Sequence, residues 1–515
     1  MRIGIIHYHI LPGGVTGVVA ASIKALLLRG PEISEIRIIC GRLDNTGKIL
    51  DSIKKSVPGA EGKLSIDIIP QIDYAIGGNG EGATPEEIFR ELDSRYSRKN
   101  WLFWVHNYQL GKNPAFTQAI IEFAKQRDQH RFLFQIHDFP ECSRYENLEF
   151  LNKNISVNPY PVAKNIKYVL INERDRRLLV KSGIPETDAF LLHNPISFTS
   201  PAPCDSKDSA KTKLADAFAK DFPKFDRSAN NLFYPVRTIR RKNVLEAALV
   251  TDILSGSQNL LVTLPGVSAQ EKPFSDLVKQ CYKEGVVQGL WGIGTDLENL
   301  GLGFCDVIAA ADMVISSSVQ EGFGYLFLNT LLWGYPLVAR YLDILDGIKS
   351  VFEDYPHVFY NEILVPVDDA LRKKDLEAYK RKIADLSSVI PQSSAQELES
   401  QFTAMFDDDF LDFSYLSPES QHTLLLKAKD PGILKAAADL NRKTLDAIET
   451  SFTQDAPDIT DRAEGQFGFA AFAENFRNIT ASFDDNTPAE PESDVQRGLI
   501  KEFASKEYMR LLYEY

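Results

Sequence analysis

At 515 residues, with 44% hydrophobic and 25% charged side chains, the chain has an ordinary globular composition and is too long for one hydrophobic core. Its net charge of −14 argues against non-specific nucleic-acid binding, and no stretch approaches the roughly 20 apolar residues that span a bilayer. The acidity is local: residues 401–515 carry 22 acidic against 11 basic side chains, so the first 400 residues are nearly balanced.

The chain opens on a strand-like run, Ile3-Gly4-Ile5-Ile6, with no signal-peptide pattern before it, which predicts a cytoplasmic protein. Short apolar runs then recur at Ile3–His7, Ile36–Cys40, Ser65–Ile69, Leu102–Val105, Phe132–Ile136, Tyr168–Ile171 and Phe190–Leu192. Runs apolar throughout suit parallel strands covered on both faces. Helices fall between them. Thr84-Pro85-Glu86-Glu87 reads as a capping box with Pro at the first helical position, and Asn172 as a cap for a helix ending near Gly183. The alternation predicts a doubly wound Rossmann-type domain over residues 1–195.

Residues 196–231 are rich in Pro, Ser, Asp and Lys and read as a linker. A second alternation follows over 232–370. Its strands are Leu232–Pro235, Leu260–Leu264, Met313–Ser316 and Leu337–Ala339, and its helices Val244–Ile253, Gln270–Tyr282 and Tyr325–Leu332. Residues 371–515 read as a helical, acidic extension available for packing on the core or self-association, with a Pro- and acid-rich loop at Asp484–Asp494. The five cysteines, Cys40, Cys142, Cys204, Cys281 and Cys305, have no C-x-x-C spacing and read as buried thiols. Asp407-Asp408-Asp409 contains D-x-D but lies in a helical acidic region, so it reads as a cap or solvated face rather than a metal site.

Ligands of open parallel sheets bind beyond the strands' carboxyl ends, so the loops there carry the chemistry. Ser316-Ser317-Ser318-Val319-Gln320-Glu321-Gly322-Phe323-Gly324-Tyr325 reads as a strand end, a glycine-bearing loop and a helix start. Such a loop lets backbone approach a ligand, and the helix N-terminus offers N–H groups to an anion. Cations cluster in Arg237-Thr238-Ile239-Arg240-Arg241-Lys242 after another strand. Pro12-Gly13-Gly14-Val15 follows the first strand, and His106-Asn107 and His137 follow two of its neighbours.

The run Glu321–Gly324, continued by Gly334-Tyr335-Pro336-Leu337-Val338-Ala339, resembles the E-G-F-G and G-x-P-V-x-A segments of the retaining GT-B glycosyltransferases of family 4. Arg237 and Lys242 have the spacing of that family's Arg–Lys pair, although Val236 replaces its leading Gly. The resemblance implies two Rossmann-like domains facing a cleft, with the acceptor side first and the donor side second. It also implies transfer of a sugar from a nucleoside-diphosphate sugar to a hydroxyl of a sugar or other small acceptor. Retention of configuration and the absence of a metal ion or cofactor belong to the same expectation. In its terms Arg237 and Lys242 hold the diphosphate, Glu321 contacts the donor sugar, and Gly322, Phe323, Gly324 and Tyr325 line the donor site. The family's second Glu is Asn329 here, a neutral amide at the ribose position. The Gly13-Gly14 loop would face the donor phosphates and His137 would lie near the donor sugar. His106, Asn107 and Lys112 are assigned to the acceptor pocket, Lys112 for an anionic acceptor. His193-Asn194-Pro195 looks like the family's hinge, and part of 371–400 is expected to cross back onto the first domain. Two other enzymes of this fold type, a sugar phosphorylase and a nucleotide-sugar epimerase, and a non-catalytic nucleotide-sugar-binding partner are the competing readings.

Overall fold

The computed structural model describes residues 1–43, 48–198, 206–484 and 494–511. The chain divides into two compact units, Met1–Phe198 with Asp461–Ala504, and Thr199–Thr460 with Ser505–Tyr515. Cys204 and residues 485–493 of the acidic loop lie outside the described residues. Cys40, Cys142 and Cys281 are buried free thiols, and Cys305 is half-buried.

The first unit holds seven parallel strands: β1 (Arg2–Ile10), β2 (Glu35–Leu43), β3 (Leu64–Ile68), β4 (Leu102–His106), β5 (Arg131–Ile136), β6 (Ile166–Leu170) and β7 (Ala189–Leu191). Their order is β3-β2-β1-β4-β5-β6-β7, so the winding reverses between β1 and β4. Every residue of β4 is buried because both faces are covered. Alternation sends Leu102 and Trp104 into one core with Val19, Ile23 and Leu26 of the helix Gly14–Arg29. Phe103 points the other way, edge-on to Phe123 at 5.7 Å and Tyr96 at 5.5 Å. The capping box closes on both arms: Glu87 N donates to Thr84 Oγ1 at 3.3 Å, and Thr84 N to Glu87 Oε2 at 3.0 Å. Asn172 caps its helix through Asp175 N at 2.8 Å.

The late segment belonging to this unit is Asp461–Ala504, whereas residues 371–400 belong to the second. The reason is apolar: the helix Phe469–Ala481 sets Phe476 at 5.0 Å and Phe472 at 6.1 Å from the Trp104 ring and completes that core.

The second unit holds six parallel strands: β8 (Asn230–Arg237), β9 (Gln258–Leu264), β10 (Gly289–Trp291), β11 (Met313–Ser316), β12 (Leu337–Arg340) and β13 (His357–Tyr360). The order β10-β9-β8-β11-β12-β13 reverses between β8 and β11. A short antiparallel pair joins β14 (Leu364–Pro366) to β15 (Phe410–Asp412), and β15 lies in the region expected to be helical. Its anchor is a buried ion cluster. Arg340, fully buried, donates to Glu246 Oε2 at 2.6 Å and to Asp412 Oδ1 at 2.7 Å, and Tyr360 donates to Glu246 Oε1 at 2.9 Å. Asp407, Asp408 and Asp409 form an exposed turn ahead of β15, where Arg372 Nη1 donates to the Asp408 carbonyl at 3.0 Å and to Asp409 Oδ1 at 3.1 Å. Both sheets are thus Rossmann-like, as the sequence predicts. No helix among the described residues is long and apolar enough to cross a membrane.

Candidate active site

Each sheet has one switch point, the place where open parallel folds bind ligands. At the second unit's, between β8 and β11, the two cationic and glycine-bearing loops are stitched together. Val319 N donates to the Arg241 carbonyl at 2.9 Å, Ser317 Oγ to the Asn243 carbonyl at 2.9 Å, and Tyr234 Oη to the Lys242 carbonyl at 2.7 Å. Side chains complete the joint. Lys242 Nζ donates to Glu321 Oε1, and Arg241 Nη1 reaches the Gln320 carbonyl at 2.9 Å and Glu321 Oε2 at 3.4 Å. Nothing in the sequence distinguishes Arg241 within the basic run, and its contact with Glu321 makes it part of the site. Arg237 stands apart from Glu321 and pairs instead with Glu271 at 3.2 Å.

The electrostatics favour an anion. Burial would raise the Glu321 carboxyl, but the Lys242 and Arg241 charges overcome it and hold Glu321 below the usual carboxylate range. Burial lowers the Lys242 ammonium to about 8; Glu321 opposes this, while Arg241 and Arg237 add to it. Three cations therefore share this edge with one carboxylate at its centre and Glu271 at its margin.

Gly324 turns the chain at φ 89 and caps the helix Tyr325–Trp333; a Cβ there would lie 2.7 Å from Phe327. Phe323 is buried edge-on to the exposed ring of Tyr325 at 5.0 Å, Gly322 is half-buried, and Asn329 sits half-buried in the following helix.

In the first unit β1 runs to Ile10, so His7 and His9 belong to the strand, and the next helix starts at Gly14. Gly13 and Gly14 are exposed; added Cβ atoms would meet nothing closer than 3.9 Å at Gly13 and nothing within 4 Å at Gly14. No neighbour within the fold demands glycine there.

Beside this loop the switch point between β1 and β4 gathers histidines. His106 Nδ1 lies 2.9 Å from His137 Nε2, and His7 Nδ1 lies 3.3 Å from the His106 carbonyl. Asn107, at φ 52, turns its side chain to accept from His137 N at 2.8 Å and fixes the loop after β5. Burial lowers His7 to about 3 and His137 to about 4, and it depresses His106 strongly. The rings are therefore neutral near pH 7, and a single proton lies between His106 and His137, so the tautomer of one dictates that of the other. Lys112, half-buried, sets its Nζ 5.6 Å from the centre of the Tyr74 ring.

No protein-family model matches the chain. The mannosylglucosyl-3-phosphoglycerate synthase of Petrotoga mobilis is 31% identical over 535 residues, covering 99% of each chain. Among solved structures, the apo lipopolysaccharide outer core galactosyltransferase WaaB superposes with a TM-score of 0.50 at 12% identity, over 94% of this chain and 99% of that one. Sucrose-phosphate synthase from Thermosynechococcus elongatus gives 0.48 at 12% identity, over 94% and 99%. At that identity the WaaB likeness is one of fold, the GT-B fold, whereas the full-length sequence relationship is one of descent. The chain belongs to the glycosyltransferase family that includes the Petrotoga mobilis mannosylglucosyl-3-phosphoglycerate synthase.

Proposed function

We propose that the protein transfers a mannosyl group from a nucleoside-diphosphate sugar to a hydroxyl of glucosyl-3-phosphoglycerate, with retention and without a metal ion. The product named for its full-length relative supports this choice. The observation that carries the donor half is the joint of Lys242 and Arg241 on Glu321 at the β8–β11 switch point.

In the proposed reaction the acceptor oxygen bonds to the anomeric carbon as the bond from that carbon to the diphosphate breaks. The electron pair goes to the phosphate oxygen, and the acceptor's proton ends on the diphosphate or in solvent. Charge therefore grows on the leaving group, where Arg237, Arg241 and Lys242 supply fixed positive charge in the role a metal ion could otherwise fill. The N-terminus of the helix Tyr325–Trp333, entered through Gly322, Phe323 and Gly324, adds N–H donors. Glu321 accepts from donor sugar hydroxyls, and Asn329 from or to the ribose as a neutral amide. The first unit takes the acceptor: Gly13 and Gly14 allow close approach, His137 meets the reacting sugars, and His106, Asn107 and Lys112 line the acceptor pocket.

A thermal-shift panel of UDP-, GDP-, ADP- and TDP-sugars tests the donor half. A true donor at 100 times its Kd adds about 2.7 kcal/mol of stability, and Arg237→Ala lowers that gain. If no nucleotide sugar shifts the transition, the donor assignment is wrong.

A further inference from the structure

The proposed acceptor carries a phosphoglyceryl group, so the first unit needs a place for an anion, and at the carboxyl edge of its sheet Lys112 lies over the Tyr74 ring, which also feels the charges of Arg144 and Arg42. Lys112 follows β4, Arg42 lies in β2 near its end, and Arg144 lies in the segment after β5. Their frame is tied down. Ala75 N donates to the Lys112 carbonyl at 2.9 Å, and Asn113 Nδ2 donates to the carbonyls of Gln71 at 2.9 Å and Asp73 at 2.6 Å. Gly111 turns at φ 74, where a Cβ would strike the Asn147 carbonyl at 2.2 Å. Tyr74 lies between Lys112 and His9, whose ring is 4.8 Å away edge-on.

The carboxylates here are committed. Asp73 pairs with Arg42 at 3.1 Å and also accepts from Tyr74 N and Asn79 N, both at 2.9 Å. Asp138 pairs with Arg144 at 3.3 Å. Lys112 has no ion pair among the described residues, and Glu146 attracts it only from beyond ion-pair distance. Burial lowers its pKa, and the charge of Arg144 lowers it further. A half-buried ammonium beside a second cation is relieved by any anion that reaches both.

We propose that Lys112, with Arg144 and Arg42 around Tyr74, forms an anion subsite that receives the phosphoglyceryl end of the acceptor. Its assignment to the acceptor rests on the function proposed above; the anion site itself rests on this geometry.

The test titrates the full chain with 3-phosphoglycerate, with inorganic phosphate and glycerol as separate arms. The expected result is binding of 3-phosphoglycerate and not of glycerol, weakened by salt and weakened about tenfold or more by Lys112→Met. Lys112→Arg, which keeps the charge, should recover most of it, with melting temperatures unchanged in both variants. Binding of phosphate alone as tightly as 3-phosphoglycerate would overturn the phosphoglyceryl assignment. No binding by the wild type, or equal binding by Lys112→Met and Arg144→Gln, would overturn the subsite. Sugar transfer is read separately. Lys112-dependent binding without any transfer would sink the proposed function and leave the subsite standing. Transfer to glucosyl-3-phosphoglycerate with a KM untouched by Lys112→Met would do the reverse.

Discussion

Lys242 gives the donor site a pH dependence of definite sign. Its ammonium is lowered from 10.5 to about 8, chiefly by burial. A shift of that size corresponds to about 3 kcal/mol favouring the neutral form in the folded chain. Between pH 8 and 10.5 the unfolded chain binds the extra proton, so this group's contribution to stability rises with pH across that window. Donor binding runs the opposite way, because a diphosphate prefers the charged amine. With the free chain at about 8, roughly nine-tenths of Lys242 is charged at pH 7 and about a tenth at pH 9. The value of kcat/KM for the donor should be level below pH 8 and fall about tenfold per unit above it. Lys242→Arg, whose guanidinium does not titrate in this range, should abolish the break. A wild-type profile level to pH 10, or a break that survives in Lys242→Arg, would refute the role given to this lysine.

Three further outcomes follow from the packing. Arg340→Met leaves Glu246 and Asp412 buried without their shared cation and should cost about 3–5 kcal/mol in urea unfolding. Gly324→Ala must hold a Cβ at φ 89 against Phe327, and should lose about 1 kcal/mol or more of stability together with donor affinity, read by calorimetry and titration. His106→Phe removes the group that sets the tautomer of His137, so kcat should fall while the donor KM holds; nitrogen NMR should show the His137 proton redistributed between Nδ1 and Nε2. An unchanged His137 tautomer would reduce His106 to a packing residue.

Both sheets were largely legible because their strands are short, apolar runs bounded by caps and glycines. Met313–Ser316 and the helix Val244–Ile253 have the predicted bounds. What escaped is short or set from outside. Gly289–Trp291 spans three residues and begins on a glycine at φ 136. His357–Tyr360 is a sheet-edge strand that is only partly buried. Phe410–Asp412 exists through its pairing with Leu364–Pro366 and the Arg340 cluster, neither of which leaves a periodic trace. Strand order, and hence the two switch points, is likewise a tertiary property.

For the site, the loops were legible and their wiring was not. The family resemblance gives Glu321 and Lys242 separate parts of the donor, and the structure joins them directly. Arg241 was hidden in a basic run in which Arg240 turns inward to the Ser414 and Leu416 carbonyls at 3.3 and 3.0 Å. Lys112 was visible as a lone cation, but Tyr74, Arg144 and Arg42 come to it from three other loops or strands. Only the folded chain brings them together.

The most direct measurement incubates the full chain with glucosyl-3-phosphoglycerate and a panel of nucleoside-diphosphate mannoses, followed by mass spectrometry and anomeric NMR of the product. The expected product is mannosylglucosyl-3-phosphoglycerate, formed with retained configuration, unaffected by EDTA and lost in Glu321→Gln. Release of nucleoside diphosphate with no sugar on the acceptor, or no turnover of any donor, would contradict it.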